Sequence, residues 1–548
     1  MGYILLWFEN LAVALLLLAT LVACLGRWQR AWPRAVSWAS SVMIALAILA
    51  PYAGLAGVVE WLKFTTGFRS YWFYYPVLAL PTSFLVGAAW ILVAGLRRGE
   101  AGLAGPQSAS WPRGRLAIAL GVVLALHLMT IWNLDLAMRQ RLGTLRVEAG
   151  ALALSVAPPR PSDRDNAALV YEQAFQAMGD SAAWPKAYEE KWSKWLDPGA
   201  AGFDAQDAGL RAFLKQQSAA LALLREAGDK PGCYFDHDYG WPSIDMMLPE
   251  LNRLREAARL LSLDARSKAA DGNLRGALAD CWSMLAMAEH ASSNPILIAL
   301  LVAGAIDGMG MQTLEAVLAS APPSADDLNA VRLDGTFSYQ RAFQRASRME
   351  EAGGQTAFYD VGTGRWWVAD LANAGPESRI EYPPRGFPPL YRLFLLEDDQ
   401  ESYGRLMKRC QQLAAKPYFQ AKAEWEGSDA SIKDASGVLT RLLFPALSHC
   451  AETVARAEAQ RDLMRSALAT YRFRAAHGRL PAKPDELVPE FIPAVPQDPF
   501  DGKPLRMKKT ARGLVLYSIG PDMTDNGGAP FDPATRTGDI TFTVVEKP

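Results

Sequence analysis

Cysteine is scarce in this sequence and never occurs in a CxxC motif. The 548 residues include five cysteines, so the paired spacing that marks a structural zinc site is missing. His449-Cys450 and the segment from Cys233 to Asp238 lack that spacing as well, which favours chance proximity. Four cysteines follow residue 140, and an oxidising compartment would allow them one or two disulfides of unspecified connectivity: Cys233, Cys281, Cys410 and Cys450. Cys281 has the position of a buried helix residue, which favours a packing role.

An excess of basic charge is also missing. The chain has 56 Lys and Arg residues against 57 Asp and Glu residues, a net charge of −1. Binding to nucleic acid needs a cationic face, so we expect no nucleic-acid partner. The neutrality is an average, because residues before position 140 include ten basic and four acidic residues and the remainder includes 46 and 53. A basic, apolar head is joined to a mildly acidic body.

Common catalytic signatures are missing too, since the chain has no GxSxG, HExxH or P-loop motif. The best acid–base candidates are two carboxylate clusters, Glu350-Glu351 and Glu397-Asp398-Asp399. Adjacent residues do not share a helix face, and acidic clusters usually lie on solvated surfaces. We therefore favour a non-catalytic role. The alternative is a membrane-anchored hydrolase of envelope polymers, which requires Glu350 or Glu351 to share a cleft with a carboxylate near Asp398.

Long uncharged runs dominate the first 140 residues. In chain order the four runs are 11–25, 35–59, 70–96 and 116–134. The last three approach the roughly 20 residues that cross a bilayer as a helix, and the shorter first run reaches that length together with the residues before it. The start of the first run lacks the basic residues of a cleaved signal peptide. The sequence therefore predicts four transmembrane helices within residues 1–138, with the lipid bilayer as a partner.

Basic residues in the predicted loops indicate the orientation of these helices. Cations favour the cytoplasmic side, and they concentrate in the first and third loops, at residues 27–34 and 97–115. We expect a multi-pass protein of the bacterial inner membrane with its C-terminal body extracytoplasmic. His127, inside the fourth run, is best explained as a residue that hydrogen-bonds to a neighbouring helix. Leu21 to Cys24 resembles a lipidation motif, a minor alternative for the first helix.

The body is predicted to be mainly helical. Residues 139–165 are expected to form a linker, stiffened by the prolines of Ala157–Pro161. Residues 166–449 favour helical hairpins, loosely similar to tetratricopeptide repeats, with a break at Asp271–Asn273 and an irregular insertion near 353–390. The apolar run Ile296–Ala305 is too short to span a bilayer and is typical of a core helix.

The last hundred residues predict a small α+β module. A helix ends near Ala476, and alternating apolar residues then indicate three short strands, ending with the strand of Ile540, Phe542 and Val544. A loop rich in Asp, Asn and Gly separates the last two strands.

Several motifs of this module resemble the C-terminal half of the major pseudopilins of type II secretion. In chain order they are Tyr471, His477–Pro481, Asp498–Phe500, Tyr517–Asp522 and Gly538–Ile540. The resemblance covers about residues 450–545 and implies a calcium-binding loop before the final strand. The matching positions are Asp522, Asp525 and Asp539, with Asn526 or Asp532 as further candidates. Hard oxygen ligands of this kind suit calcium, although the spacing is not that of an EF-hand.

These observations predict three parts: a four-helix membrane domain, a helical extracytoplasmic domain and a pseudopilin-like module over 450–548. We expect the chain to bind envelope or secretion proteins through this scaffold. Pilus assembly is not expected, because the module lies at the far end of a four-span chain.

Overall fold

The computed structural model describes residues 113–197, 202–243, 246–333, 337–364, 391–392, 395–433, 437–443, 447–532 and 535–546. The first three predicted membrane runs and the lipidation motif at Cys24 lie outside these residues. For His127 the description covers the backbone only.

The described chain is mostly helical and ends in a small sheet. Its α-helices are α1 Arg113–Val156, α2 Ala167–Met178, α3 Ala208–Gln216, α4 Ser218–Gly228, α5 Pro249–Ala270, α6 Leu274–Ser293, α7 Leu297–Ser320, α8 Ala325–Leu328, α9 Tyr339–Gly362, α10 Leu396–Ala414, α11 Tyr418–Lys433, α12 Val438–Leu443 and α13 Leu447–His477. The strands are β1 Arg506–Thr510, β2 Gly513–Ser518 and β3 Ile540–Val545. Both strand pairs are antiparallel, with β2 in the centre. The prediction of a mainly helical body followed by three strands is confirmed.

Helix α1 contradicts the predicted start of the linker. The fourth uncharged run lies on this helix, which continues without a break to Val156. Leu142, Leu145, Ala149 and Ala153 are buried at helical spacing. Residues 139–156 contain no proline, so the helix persists until the prolines of 158–161 end it. Within the predicted linker only residues 157–162 are without helical structure, because Asp163–Asp165 form a short 3₁₀ helix.

The chain divides into two compact units at points that differ from the predicted boundaries. The first unit takes the described residues within 1–145, 358–403 and 433–443, and the second takes those within 146–357, 404–432 and 444–548. The described residues of 450–548 fall in the second unit, together with helices α5, α6 and α7.

The hairpin predicted around Asp271–Asn273 is confirmed. Helix α5 ends at Ala270, Gly272 takes a φ of +78°, and the Asn273 side chain accepts a 3.0 Å hydrogen bond from the Gly276 amide at the start of α6. Glycine suits this left-handed conformation, and asparagine is a preferred helix N-cap. Helices α5 and α6 pack on each other and both contact α7.

Helix α7 is the core helix expected at Ile296–Ala305, and it is longer than predicted. By length and composition it is the one described helix that could cross a membrane. Of its most apolar 18-residue window, 56% is buried inside the protein. It packs against α5, α6, α13 and β3. Its Asp307 is fully buried and pairs with Arg461 of α13, an arrangement that fits a protein core.

The irregular insertion predicted from residue 353 is wrong over its first ten residues. Helix α9 runs through Gly353-Gly354 to Gly362, and residues 365–390 lie outside the described part. Each glycine costs a helix about 1 kcal/mol relative to alanine. Phe343, Ala346, Met349 and Ala352 form a buried stripe on this helix, and their burial outweighs that cost.

The C-terminal sheet completes the hydrophobic core of the second unit. Side chains of β3 alternate as predicted, with Ile540, Phe542 and Val544 buried and the residues between them partly exposed. The buried side chains join one cluster with residues of α5, α6, α7 and α13. The sheet is therefore part of the same core as the helical hairpins.

Candidate functional site

Asp498 is the centre of the C-terminal module. Its carboxylate is fully buried and accepts hydrogen bonds from the Phe500 amide at 3.0 Å, the Ser518 hydroxyl at 2.8 Å and the Ile519 amide at 2.9 Å. Burial raises its pKa, although these donors oppose the rise. One side chain thus joins the Asp498–Phe500 turn to the end of β2.

The loop between β2 and β3 is held by its own aspartates. Asp522 accepts the Gly538 amide at 2.8 Å and so closes the base of the loop. Asp539 is fully buried and accepts the amides of Asn526 at 3.1 Å and Gly528 at 2.6 Å. Carboxylates bonded to amides in this way order a loop without any other ligand.

Asp525 is oriented differently from the other two aspartates. It accepts the Gly527 amide at 2.9 Å and lies 3.1 Å from the Nε atom of Arg506 on β1. The Gly527 amide and the Arg506 guanidinium lower the pKa of Asp525. Burial raises the pKa of Asp539, and the negative charges of Asp525 and Asp522 raise it further. The three carboxylates therefore lie near enough to interact electrostatically.

The three predicted calcium ligands do not form a ready-made coordination shell. Within the described part of the chain, no three His, Cys, Asp or Glu side chains are placed to hold one ion together. Asp522, Asp525 and Asp539 each accept backbone amides, and a calcium ion would need six to eight oxygens directed at one point. Calcium binding would require these carboxylates to turn from their amide donors toward a common point.

Arg506 is a residue of this site that the sequence analysis missed. Its guanidinium contacts three carboxylates, those of Asp498 at 3.1 Å, Asp501 and Asp525 at 3.1 Å. It lies in β1 and its side chain is mostly buried. The only sequence signal was a single arginine in a predicted strand, a few residues after two aspartates.

Two contacts tie the sheet to helices of the second unit. The Tyr471 hydroxyl of α13 accepts the Val545 amide at 3.3 Å, and the Glu315 carboxylate of α7 accepts the Thr543 amide at 2.8 Å. Tyr471 belongs to the quoted motifs, whereas Glu315 does not. Among the described strands β3 pairs only with β2, and these bonds satisfy amides on its other side.

The carboxylates of the hydrolase alternative have structural partners. In the second unit, Glu350 accepts the Leu297 amide at 3.1 Å at the start of α7, and Glu351 accepts the Gln411 side chain at 2.7 Å. In the first unit, Asp399 is fully buried and accepts the Tyr391 hydroxyl at 2.6 Å and the Leu439 amide at 2.9 Å. Burial raises the pKa of Glu350 and of Asp399.

The four described cysteines and the segment Asp236-His237-Asp238 are part of the folded structure and do not form a metal cluster among the described residues. Cys233, Cys281, Cys410 and Cys450 are all buried as thiols. Burial raises the pKa of Cys450 to about 11, so its thiolate is disfavoured. His237 lies 2.8 Å from the buried Glu250 carboxylate. Cys281 lies in the main core cluster, as its position on the helix predicted.

Comparisons with known proteins returned no match to any protein-family model, curated protein or solved structure.

Proposed function

We propose that this chain is a non-catalytic integral membrane protein of the bacterial inner membrane. In this proposal, four N-terminal helices anchor a helical extracytoplasmic scaffold. The scaffold presents a pseudopilin-like sheet and loop to protein partners in secretion or envelope organisation.

One observation carries the proposal. The motif residues that resemble pseudopilins are far apart in sequence, yet they bond to one another. Asp498 binds Ser518 and Ile519, and Asp522 binds Gly538. Tyr471 binds Val545 of β3, which lies outside the motifs. A chance assortment of motifs would have no reason to form one hydrogen-bonded unit, so this convergence supports the resemblance.

The membrane part of the proposal is supported by the uncharged runs and the distribution of basic residues before position 140. The acidic body after position 140 suits a location away from anionic phospholipid headgroups. Glu350, Glu351 and Asp399 each accept a hydrogen bond from a neighbouring segment, which supports a structural role for these three carboxylates.

Site-specific photo-crosslinking in native membranes tests the partner-binding role. A photo-reactive amino acid at Thr524, exposed in the loop, should give discrete crosslinked proteins. The same residue at Arg275, exposed near the start of α6, is the matched control. Equal yields and identical products at the two positions would contradict a partner surface on the loop, and a complete absence of products would contradict the proposed role.

Calcium binding by Asp522, Asp525 and Asp539 stays a prediction from the resemblance. The full chain is the right sample, because the sheet shares its core with the hairpin helices. An ion that binds only the folded state raises the melting temperature, so wild type should melt higher in calcium than in chelator. Asp525→Asn should reduce this shift, whereas Asp326→Asn, on the exposed helix α8, should not. Equal melting of wild type in calcium and in chelator would remove calcium from the proposal.

A further inference from the structure

A cleft in the second unit lies apart from the C-terminal loop. It has a volume of about 470 Å³, within the range typical of ligand sites. Helices α5 and α7 form two of its walls, and the third is the short helical segment over residues 181–197. Met309 and Ala305 of α7 supply an apolar surface within it.

Two arginines on one face of α5 line this cleft. Arg255 and Arg259 are separated by one helical turn, so their side chains project from the same side. Neither forms an ion pair with another residue in the described ranges. The nearby Glu256 does not neutralise them, because it is bound by Arg253 at 2.7 Å and by the Ser181 hydroxyl at 2.7 Å.

A buried hydroxyl also lines the cleft. The Tyr188 side chain is only 6% exposed, and its hydroxyl lies near the Arg259 guanidinium but has no acceptor of ordinary geometry among the described residues. Burial raises the pKa of Tyr188 to about 12, so the group stays protonated and can donate. Leaving such a group unpaired costs about 1–3 kcal/mol, a cost that a bound acceptor would relieve. Tyr188 begins a π-helical turn, a local distortion often found at functional sites.

The cleft is not uniformly cationic. Glu189 and Asp197 are exposed at its edge, and neither pairs with a cation in the part of the chain that the structure describes. Their charges would repel a polyanion such as nucleic acid or a phosphorylated ligand. A single carboxylate beside an apolar group can reach the two arginines and avoid this repulsion.

We propose that this cleft binds a peptide segment of a partner protein, with an acidic side chain between Arg255 and Arg259 and an apolar neighbour against Met309. The inference rests on the proposed function, because it names the chemistry of a partner of the helical scaffold. Arginine binds carboxylates through two parallel hydrogen bonds, and the Tyr188 hydroxyl adds a third donor.

Selection of peptides on the purified full-length protein tests this proposal. A random peptide library should yield binders that carry Asp or Glu next to an apolar residue. In fluorescence polarisation, Gln in place of the acidic residue should weaken binding about tenfold, since a charge-assisted hydrogen bond is lost. Failure to select any peptide, or selection without acidic residues, would overturn the proposal.

Variants of the cleft give the second half of the test. Arg255→Gln with Arg259→Gln should weaken the selected peptides at least about tenfold. Arg275→Gln with Lys215→Gln, which removes two exposed charges outside the cleft, should leave binding unchanged. Tyr188→Phe should weaken binding a few-fold without lowering the melting temperature, because it removes a hydroxyl that has no acceptor in the described protein. Equal affinity of wild type and the double cleft variant would show that the peptides bind elsewhere.

The crosslinking experiment separates this inference from the proposed function. If the double cleft variant keeps both peptide binding and the partners captured at Thr524, the cleft assignment is wrong and the proposed function stands. If the peptides depend on the cleft but Thr524 captures no partner, the loop surface is wrong and the cleft stands.

Discussion

His290 shows how burial fixes the protonation state of one residue. Its Nε2 atom lies 3.0 Å from the Lys230 carbonyl, which can only accept, so this nitrogen must donate. Its Nδ1 atom lies 3.0 Å from the Tyr171 hydroxyl and accepts from it. Burial lowers the pKa of His290 from 6.5 to about 4, so the ring is neutral at pH 7 and its Nδ1 atom is then the acceptor of the Tyr171 hydroxyl.

We predict that His290 makes the protein less stable as the pH falls from 6.5 to 4. In that window the unfolded chain binds a proton that the folded state does not, so the unfolded state is favoured. Between pH 7 and pH 5 the loss should be about 2 kcal/mol. In denaturant unfolding, the free energy of unfolding of His290→Gln should fall less between pH 7 and pH 5 than that of wild type, and the difference should equal the loss assigned to His290. Equal drops in the two proteins would contradict the assignment.

A second residue-scale feature is the buried arginine of α13. Arg461 is 1% exposed, pairs with Asp307 at 2.7 Å and with Glu289, and lies over the Phe337 ring at 4.8 Å. Asp307 also accepts the Tyr339 hydroxyl at 2.7 Å. These groups link α6, α7, α9 and α13 through one charge cluster.

Removing Arg461 should be strongly destabilising. Arg461→Met leaves the Asp307 carboxylate buried without its counter-charge, a change that typically costs about 3–5 kcal/mol. Arg479→Met, at an exposed ion pair with Glu486, is the control and should change stability little. Adding Asp307→Asn to Arg461→Met should recover part of the loss in chemical unfolding. A small effect of Arg461→Met alone would contradict a stabilising role for the cluster.

At the scale of elements, β3 links the sheet to the helical core. Its alternation places Phe542 fully inside the core cluster and Thr543 on the opposite face. We predict that Phe542→Ala lowers the free energy of unfolding by about 3–5 kcal/mol, because it leaves a cavity. Thr543→Ala should cost less than about 1 kcal/mol.

The same substitution distinguishes one core from two. If sheet and helices form a single core, Phe542→Ala should raise proteolytic sensitivity in α7 and α13 as well as in the sheet. Cleavage confined to residues 500–548 would indicate that the C-terminal module unfolds on its own.

At the scale of the whole molecule, the proposed topology predicts which residues face each side of the membrane. Thr524→Cys should react with a membrane-impermeant maleimide in cells with a permeabilised outer membrane. Ser108→Cys, in the predicted third loop, should react only after lysis of the inner membrane. The four cysteines after residue 140 are buried, so they should contribute little background. The reverse labelling pattern would overturn the extracytoplasmic placement of the body.

Local patterns in the sequence determined the elements whose formation depends on neighbouring residues. The turn at Asp271–Asn273, the alternation of β3 and the extended chain at the prolines of 158–161 follow from backbone preferences and side-chain periodicity. The Asp-rich composition of the loop between β2 and β3 and the motifs that resemble pseudopilins are likewise local features of the sequence.

Only the tertiary structure decided the features that depend on distant residues. The passage of α9 through Gly353-Gly354 reflects burial against other elements, which outweighs local propensity. Asp498 and Arg506 gain their roles from partners up to 21 residues away, and Asp307 from Arg461, 154 residues away. The sheet shares one core with the hairpins because its apolar face and theirs bury each other.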